Sequence, residues 1–428
     1  MAEGYLPSWP VKADGIIAPD ERLPWGQTIV VGLQHVVAMF GATVLAPILM
    51  GFDPNVSILF SGIGTLIFFV ITAGRVPSYL GSSFSFIGVV IAATGYSGKG
   101  PNPNLAVALG GIIAAGALYA VIGLIVMASG TRWVERLMPP VVTGAIVAVI
   151  GLNLAPIAVG SVTGSPFDTW IGLLTVLAVG LVAVMAPGLA RRLPILLGGI
   201  VGYVIYWALA NGMGLGKPID FSGLLNAPWF GLPTFTAPVF TGGAMALIAP
   251  VAIILVAENL GHVKAVSAMT GRDLDPYLGR AFFADGVATI IAGFGGGTGV
   301  TTYAENIGVM AVTKIYSTLV FVVAALVAIL LGFSPKFGAL ILTIPGPVIG
   351  GLAIVLFGLI AATAGRIWVQ SRVDFSNARN LITVAAALTM GAGNLSVNIG
   401  GFTLAGIGTA TFGAIILYQI LAWDRSKE

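Results

Sequence analysis

In stretches otherwise built from Ala, Gly, Val, Leu and Ile, three acids and two histidines stand out: Glu258, Asp285, Glu305, His35 and His262. An ionisable side chain at membrane depth is costly and by default marks a functional site. Glu258 and His262 are four residues apart and share one helical face, about a turn from each other. The pair suits proton handling, because histidine titrates near physiological pH and burial favours the uncharged form of a carboxyl. A hydrogen bond holding two helices together is the plainer reading. Glu305 follows Gly293-Phe294-Gly295-Gly296-Gly297-Thr298-Gly299 and the β-branched Val300-Thr301-Thr302, so we read an extended segment that turns into a half-helix near Glu305. The first turn of a half-helix offers unpaired N–H groups to ligand carbonyls, while the carboxylate accepts from ligand N–H groups. Together they match an amide-like edge. Asp285, in Phe283-Ala284-Asp285-Gly286, reads equally as a helix-end or packing carboxylate. Gln34-His35 is placed to brace Glu258 by hydrogen bonding. Phe84 and Phe86 follow a second break at Val76-Pro77-Ser78-Tyr79, where a ring either packs or stacks on a planar ligand.

The elements positioning these residues must lie in a bilayer. The 428 residues are 57% hydrophobic and 8% charged, with a mean hydropathy of +1.02, far from the roughly 25% charge of soluble domains. With no cysteine, disulfides, thiolate metal sites and Cys nucleophiles are excluded. No metal or cofactor is expected. The first 27 residues are polar and carry no cleavable signal pattern. About fourteen apolar segments follow, among them 28–50, 76–93, 242–263, 298–314 and 316–333; the third and tenth read as broken helices.

Counting Lys and Arg in alternate loops puts sixteen on the side of the N-terminus and three (Lys99, Lys217, Lys336) on the other. That bias predicts an even number of spans with both termini cytoplasmic. Pro140-Val141-Val142-Thr143-Gly144 matches Pro347-Val348-Ile349-Gly350-Gly351 at an offset of 207, while Ser78-Tyr79 matches Thr302-Tyr303, and Gln34 matches Glu258, at 224. The extra polar loop from Thr94 to Asn104 accounts for the difference. Two homologous halves of seven segments each predict an inverted repeat, the architecture of secondary transporters.

The motif Glu305-Asn306-x-Gly308 with Thr313-Lys314, together with Gln34-His35, Pro77 to Phe84, and Glu258 with Gly261-His262, resembles the nucleobase:cation symporter-2, or nucleobase-ascorbate transporter, family of uracil and xanthine permeases. The resemblance spans nearly the whole chain and is strongest to its pyrimidine-transporting bacterial members, notably in Ala18 to Pro24 and Arg132 to Pro156. It implies an all-α polytopic membrane protein of 14 segments in a 7+7 inverted repeat, with short strands in segments 3 and 10. It further implies a cytoplasmic N-terminal tail (1–27), a core domain (28–128 and 242–335), a gate domain (129–241 and 336–422) and a cytoplasmic C-terminal tail (423–428). By the resemblance Glu258 and Glu305 bind the pyrimidine, backbone near Phe84, Tyr303 and Ala304 completes the site, and His262 joins both glutamates in proton coupling. Gln34, His35, Asn306 and Asp285 support them. Asp285 departs from the family's uracil permeases, which are expected to carry a neutral amide there, and so leaves the proton stoichiometry open. The expected activity is proton-coupled import of uracil, with thymine as a second candidate, across the bacterial inner membrane. A xanthine or urate permease, an inorganic-anion exchanger and a passive channel are the rivals. An enzyme is not expected, since there is no HExxH and no Ser nucleophile with a base. The expected partners are the nucleobase, the lipid bilayer and a second copy through the gate domain, with no nucleic acid.

Overall fold

Two three-residue strands, β1 (Leu80–Ser82) and β2 (Val300–Thr302), interrupt an otherwise mostly helical chain and pair antiparallel although far apart in sequence. The structure is a computed structural model that describes residues 4–98, 100–188, 190–399 and 402–422. The expected C-terminal tail, with Arg425 and Lys427, and the loop cation Lys99 lie outside the described residues. Leu80 faces Thr302, Gly81 faces Thr301 and Ser82 faces Val300. Ser83 N–H to Gly299 O (2.9 Å) and Tyr303 N–H to Tyr79 O (3.0 Å) extend the ladder. Every strand residue is buried.

The outer edge of each strand is closed by a threonine. Thr65 Oγ1 takes the Leu80 N–H (2.9 Å) and reaches Leu80 O (3.3 Å), and Thr289 Oγ1 does the same for Val300 (3.2 and 3.3 Å). The outward backbone groups of Leu80 and Val300 are thereby kept from hydrocarbon, which cannot satisfy them. Sequence explains the extended backbone: Pro77 removes a donor before β1, and Val300, Thr301 and Thr302 are β-branched. Gly81 is obligatory for a separate reason, because the Tyr303 ring occupies the space its Cβ would need.

Each strand runs into a ten-residue half-helix, Ser85–Thr94 and Ala304–Thr313. Both end in a left-handed residue, Gly95 (φ 64°) and Lys314 (φ 58°). Among the described residues nine helices are long and apolar enough to cross a membrane, or ten if the pair Leu319–Gly332 and Pro335–Leu342, bent by 83°, is one span. Several boundaries differ from the sequence reading for visible reasons. The first helix begins at Trp25, directly after Pro24. Segment 242–263 is two helices, Gly242–Ile248 and Val251–Thr270, separated where Pro250 withholds a donor. A second antiparallel pair, Val397–Ile399 with Phe402–Leu404, was not foreseen.

Glycine lets the long helices approach closely. Gly116 and Gly123 of the Leu105–Ser129 helix meet Gly286 and Phe283 of the Leu278–Gly295 helix with no room for a Cβ, and Gly151 meets the Phe357 carbonyl in the same way. Leu173, Leu177, Leu181 and Val184 form an exposed stripe along the Pro166–Met185 helix, as a lipid-facing surface requires.

Within the N-terminal tail expected over 1–27, part of the chain packs against the helices. Trp9 stacks on Phe69 at 5.7 Å, and Ile17 is completely buried. The Ala18 N–H donates to Glu21 (2.8 Å) and holds that carboxyl below the usual carboxylate range, aided by Lys12 at 3.2 Å.

Gly81→Ala is expected to separate the strands or displace Tyr303. Overpacking of this kind costs about 1–3 kcal/mol. A lowered melting temperature of the detergent-purified protein, absent for Gly180→Ala where the space is open, checks it.

Candidate substrate site

Glu258 sits two turns into the Val251–Thr270 helix, and Glu305 is the second residue of the Ala304–Thr313 half-helix. Both are half-buried and close enough to interact electrostatically. Ser85, the first residue of the other half-helix, donates its hydroxyl to Glu258 Oε2 at 3.5 Å. Neither half-helix has a side-chain cap: Phe84 and Tyr303 occupy the N-cap positions without one. The N-cap side chains themselves therefore take up no opening N–H, although Ser83 Oγ accepts from Ser85 N–H at 3.3 Å, and both half-helix starts lie near a carboxylate. Phe84 is buried edge-on against Phe357 (5.7 Å) of the Gly346–Gln370 helix, and Ala304 is exposed. The Tyr303 side chain is committed elsewhere. Its hydroxyl donates to Ser82 O (3.0 Å) and accepts from Thr43 (3.2 Å), leaving only its backbone for a ligand.

Beside Glu305 lies a cavity of about 560 Å³. Gly308, Val309 and Val312 of the same half-helix line it, facing Ala183 and Arg191. A nucleobase-sized molecule fits within such a volume.

Behind the carboxylates a polar chain joins four elements. His262 Nδ1 is 2.9 Å from Thr302 Oγ1, which is 3.5 Å from Asn259 Oδ1. Asn259 Nδ2 donates to Asp285 Oδ2 (2.7 Å) and to the Tyr119 hydroxyl (3.0 Å). His262 thus bonds to β2 and Asp285 Oδ2 is braced by Asn259, which joins both to one network, while Asp285 Oδ1 is buried without a hydrogen-bond partner. Asn259, Thr302, Tyr119 and Ser85 were missed by sequence reasoning. Asn259 did carry a signal, as an amide next to Glu258 in an apolar run; the threonines and serine had none that separated them from packing residues.

The brace expected from Gln34-His35 to Glu258 is not formed. Gln34 Nε2 is buried without a hydrogen-bond partner. His35 instead accepts from Asn306: Asn306 Nδ2 is 3.0 Å from His35 Nδ1 and donates to His35 O at 3.1 Å. The His35 ring lies 4.6 Å from Phe321. His35 thus pins the half-helix of Glu305 rather than Glu258. Among the described residues no group of three or more His, Asp or Glu could hold a metal ion.

The model of the Permease family (Xan_ur_permease) matches residues 26–400. The chain belongs to this family. The permease is 66% identical to the putative pyrimidine permease RutG of Escherichia coli (strain K12), over 99% of this chain and 96% of that protein. It is 43% identical to the uracil permease of Paenibacillus larvae (94% and 96% covered) and 42% identical to that of Escherichia coli (strain K12) (96% of each). Its fold is similar to that of the transmembrane domain of the cyanobacterial bicarbonate transporter BicA, with a TM-score of 0.64 over 92% of this chain and 96% of that one, at 17% identity. It is similar also to murine SLC26A9 in the inward-facing state, with a TM-score of 0.66 over 97% of this chain and 69% of that one, at 12% identity. The permease is a multi-pass membrane transporter and not an enzyme.

Removing one link of the polar chain has graded consequences. Thr302→Val deletes the hydroxyl between His262 and Asn259 and is expected to cost about 1 kcal/mol, whereas Asn259→Leu strips Asp285 of its donor and should cost about 3 kcal/mol. Ranking of melting temperatures as wild type, Thr302→Val, then Asn259→Leu checks the network.

Proposed function

We propose that the permease imports uracil together with protons across the bacterial inner membrane by alternating access, and that thymine is its second substrate. The observation that carries this reading is the placement of Glu258 and Glu305 beside the uncapped starts of two half-helices. A pyrimidine-dione edge presents C=O, N–H and C=O in a row. Helix-start N–H groups complement the carbonyls, and the carboxylates accept from ring N–H. The names of the relatives, pyrimidine and uracil permease, favour the same substrate class. Glu258, Glu305 and His262 carry the proton, and Asp285 adds a further protonatable group.

In the same reading the chain makes fourteen membrane segments in two inverted halves, counting each strand with its half-helix as one. The core is 28–128 with 242–335 and the gate 129–241 with 336–422, and the tails face the cytoplasm. Two features support the repeat. Thr65 and Thr289, which close the two strand edges, are 224 residues apart, the offset that relates Gln34 to Glu258. Helix Leu105–Ser129 packs on Leu278–Gly295 as Leu319–Gly332 packs on Pro54–Ile71, contacts that an inverted repeat makes equivalent. A homodimer through the gate belongs to this reading as well.

Radiolabelled uracil uptake into proteoliposomes under an inward proton gradient tests it, with thymine, xanthine, urate and sulfate as competitors. Gradient-dependent accumulation blocked by thymine but not by xanthine is expected. Uptake of xanthine or urate alone would overturn the substrate, and flux that only equilibrates would overturn the coupling. Glu258→Gln and Glu305→Gln are each expected to abolish accumulation, with Glu305→Gln weakening uracil binding roughly tenfold to a hundredfold, as loss of a charge-assisted hydrogen bond requires. His262→Ala is expected to shift the pH profile of uptake while leaving the competitor ranking intact.

A further inference from the structure

We propose that residues 9–23 are a strap that positions both carboxylate-bearing elements, with Ile17 and Asp20 as positioning residues for substrate binding. The inference rests on the reading of Glu258 and Glu305 as substrate residues. A ten-residue half-helix, about 15 Å long, is too short to hold its shape or direction alone. The Ala304–Thr313 half-helix is fixed at its start by the strand pair and by Asn306 on His35. Its far end is fixed by the N-terminal segment.

There Lys314 turns left-handed, and its carbonyl accepts the Ile17 N–H at 3.0 Å. Tyr316 N–H returns to Ile17 O at 2.8 Å, so Ile17 and Ile315 pair as a parallel bridge. Two residues on, Pro19 O accepts from both Thr318 N–H and Thr318 Oγ1, each at 3.1 Å. The Trp9 indole N–H lies between Thr318 Oγ1 (3.0 Å) and Pro19 O (3.2 Å), while its ring stacks on Phe69. Ile17 is 0% exposed among neighbours that mostly face water.

The next residue along makes the second tie. Asp20 takes a two-pronged contact from Arg272, at 2.6 and 3.1 Å. Arg272 stands immediately beyond Gly271, the C-cap of the Val251–Thr270 helix that carries Glu258 and His262. Within four residues, therefore, the strap grips the end of the Glu305 half-helix and the end of the Glu258 helix. The separation of the two carboxylates is set from outside the site as well as within it. Paired geometry of this kind is what preorganises a polar binding site.

The purified full-length protein tests the strap in three variants. Ile17→Pro keeps an apolar side chain but removes the N–H that Lys314 O accepts. Asp20→Arg breaks the second tie, and Asp20→Arg with Arg272→Asp restores it reversed. Uracil Kd, melting temperature and amide hydrogen exchange are read in detergent, and KM and maximal uptake in proteoliposomes. Ile17→Pro is expected to raise exchange selectively over 304–316 and to weaken uracil binding about tenfold, raising KM while maximal uptake is retained. Asp20→Arg is expected to lose affinity several-fold, and the reversed pair to regain it. Unchanged exchange over 304–316, or raised exchange with wild-type Kd, overturns the strap. A fall in melting temperature with exchange raised throughout also overturns it, because the segment is then only a cover. Should Ile17→Pro fail to fold, the charge reversal and its rescue decide alone. Absence of uracil binding in the wild type sinks the substrate reading instead, and the exchange arm still decides whether the segment holds the half-helix.

Discussion

Everything at the site depends on how two short stretches of non-helical backbone satisfy their N–H and C=O groups where water is scarce. The pairing of Leu80–Ser82 with Val300–Thr302 satisfies the inner edges, and Thr65 and Thr289 satisfy the outward groups of Leu80 and Val300. Once those bonds are made, the two half-helices have no freedom about where they begin. Their first turns are delivered to the place where Glu258 and Glu305 approach each other.

The supports of the two carboxylates differ. Glu258 belongs to a continuous twenty-residue helix, backed by the chain of His262, Thr302, Asn259 and Asp285. Glu305 rides on a short element held by neighbours: Asn306 on His35 at one end, the N-terminal segment at the other. Likeness in fold to anion transporters, at 12–17% identity, concerns the scaffold alone.

Much of this was legible in the residues. The glycine run before Val300 and the Pro77-Ser78 step pointed to the two breaks, and the rarity of acids in apolar segments singled out Glu258 and Glu305. Asp285 was visible but ambiguous, because its role depends on Asn259, twenty-six residues away in sequence and 2.7 Å away in space. Gln34-His35 misled for a related reason. Sequence alignment of the two halves set Gln34 opposite Glu258, but side-chain direction on a helix decides the partner, and His35 points to Asn306. The ordered N-terminal segment was invisible because its backbone bonds to Lys314, Tyr316 and Thr318 leave no trace in residue type, and its side-chain ties, such as Asp20 to Arg272 across 252 positions, join residues far apart in sequence.

The tyrosine at 303 works as a spacer: its ring fills the hollow above Gly81, and its hydroxyl bridges Thr43 and the Ser82 carbonyl. Positions 81 and 303 are thereby locked to each other across the two halves of the chain. A larger residue at 81 becomes acceptable only after the ring at 303 has shrunk, and a smaller ring at 303 leaves a void unless 81 has grown. The evolutionary path to a wider strand pair thus runs through a valley of single mutants.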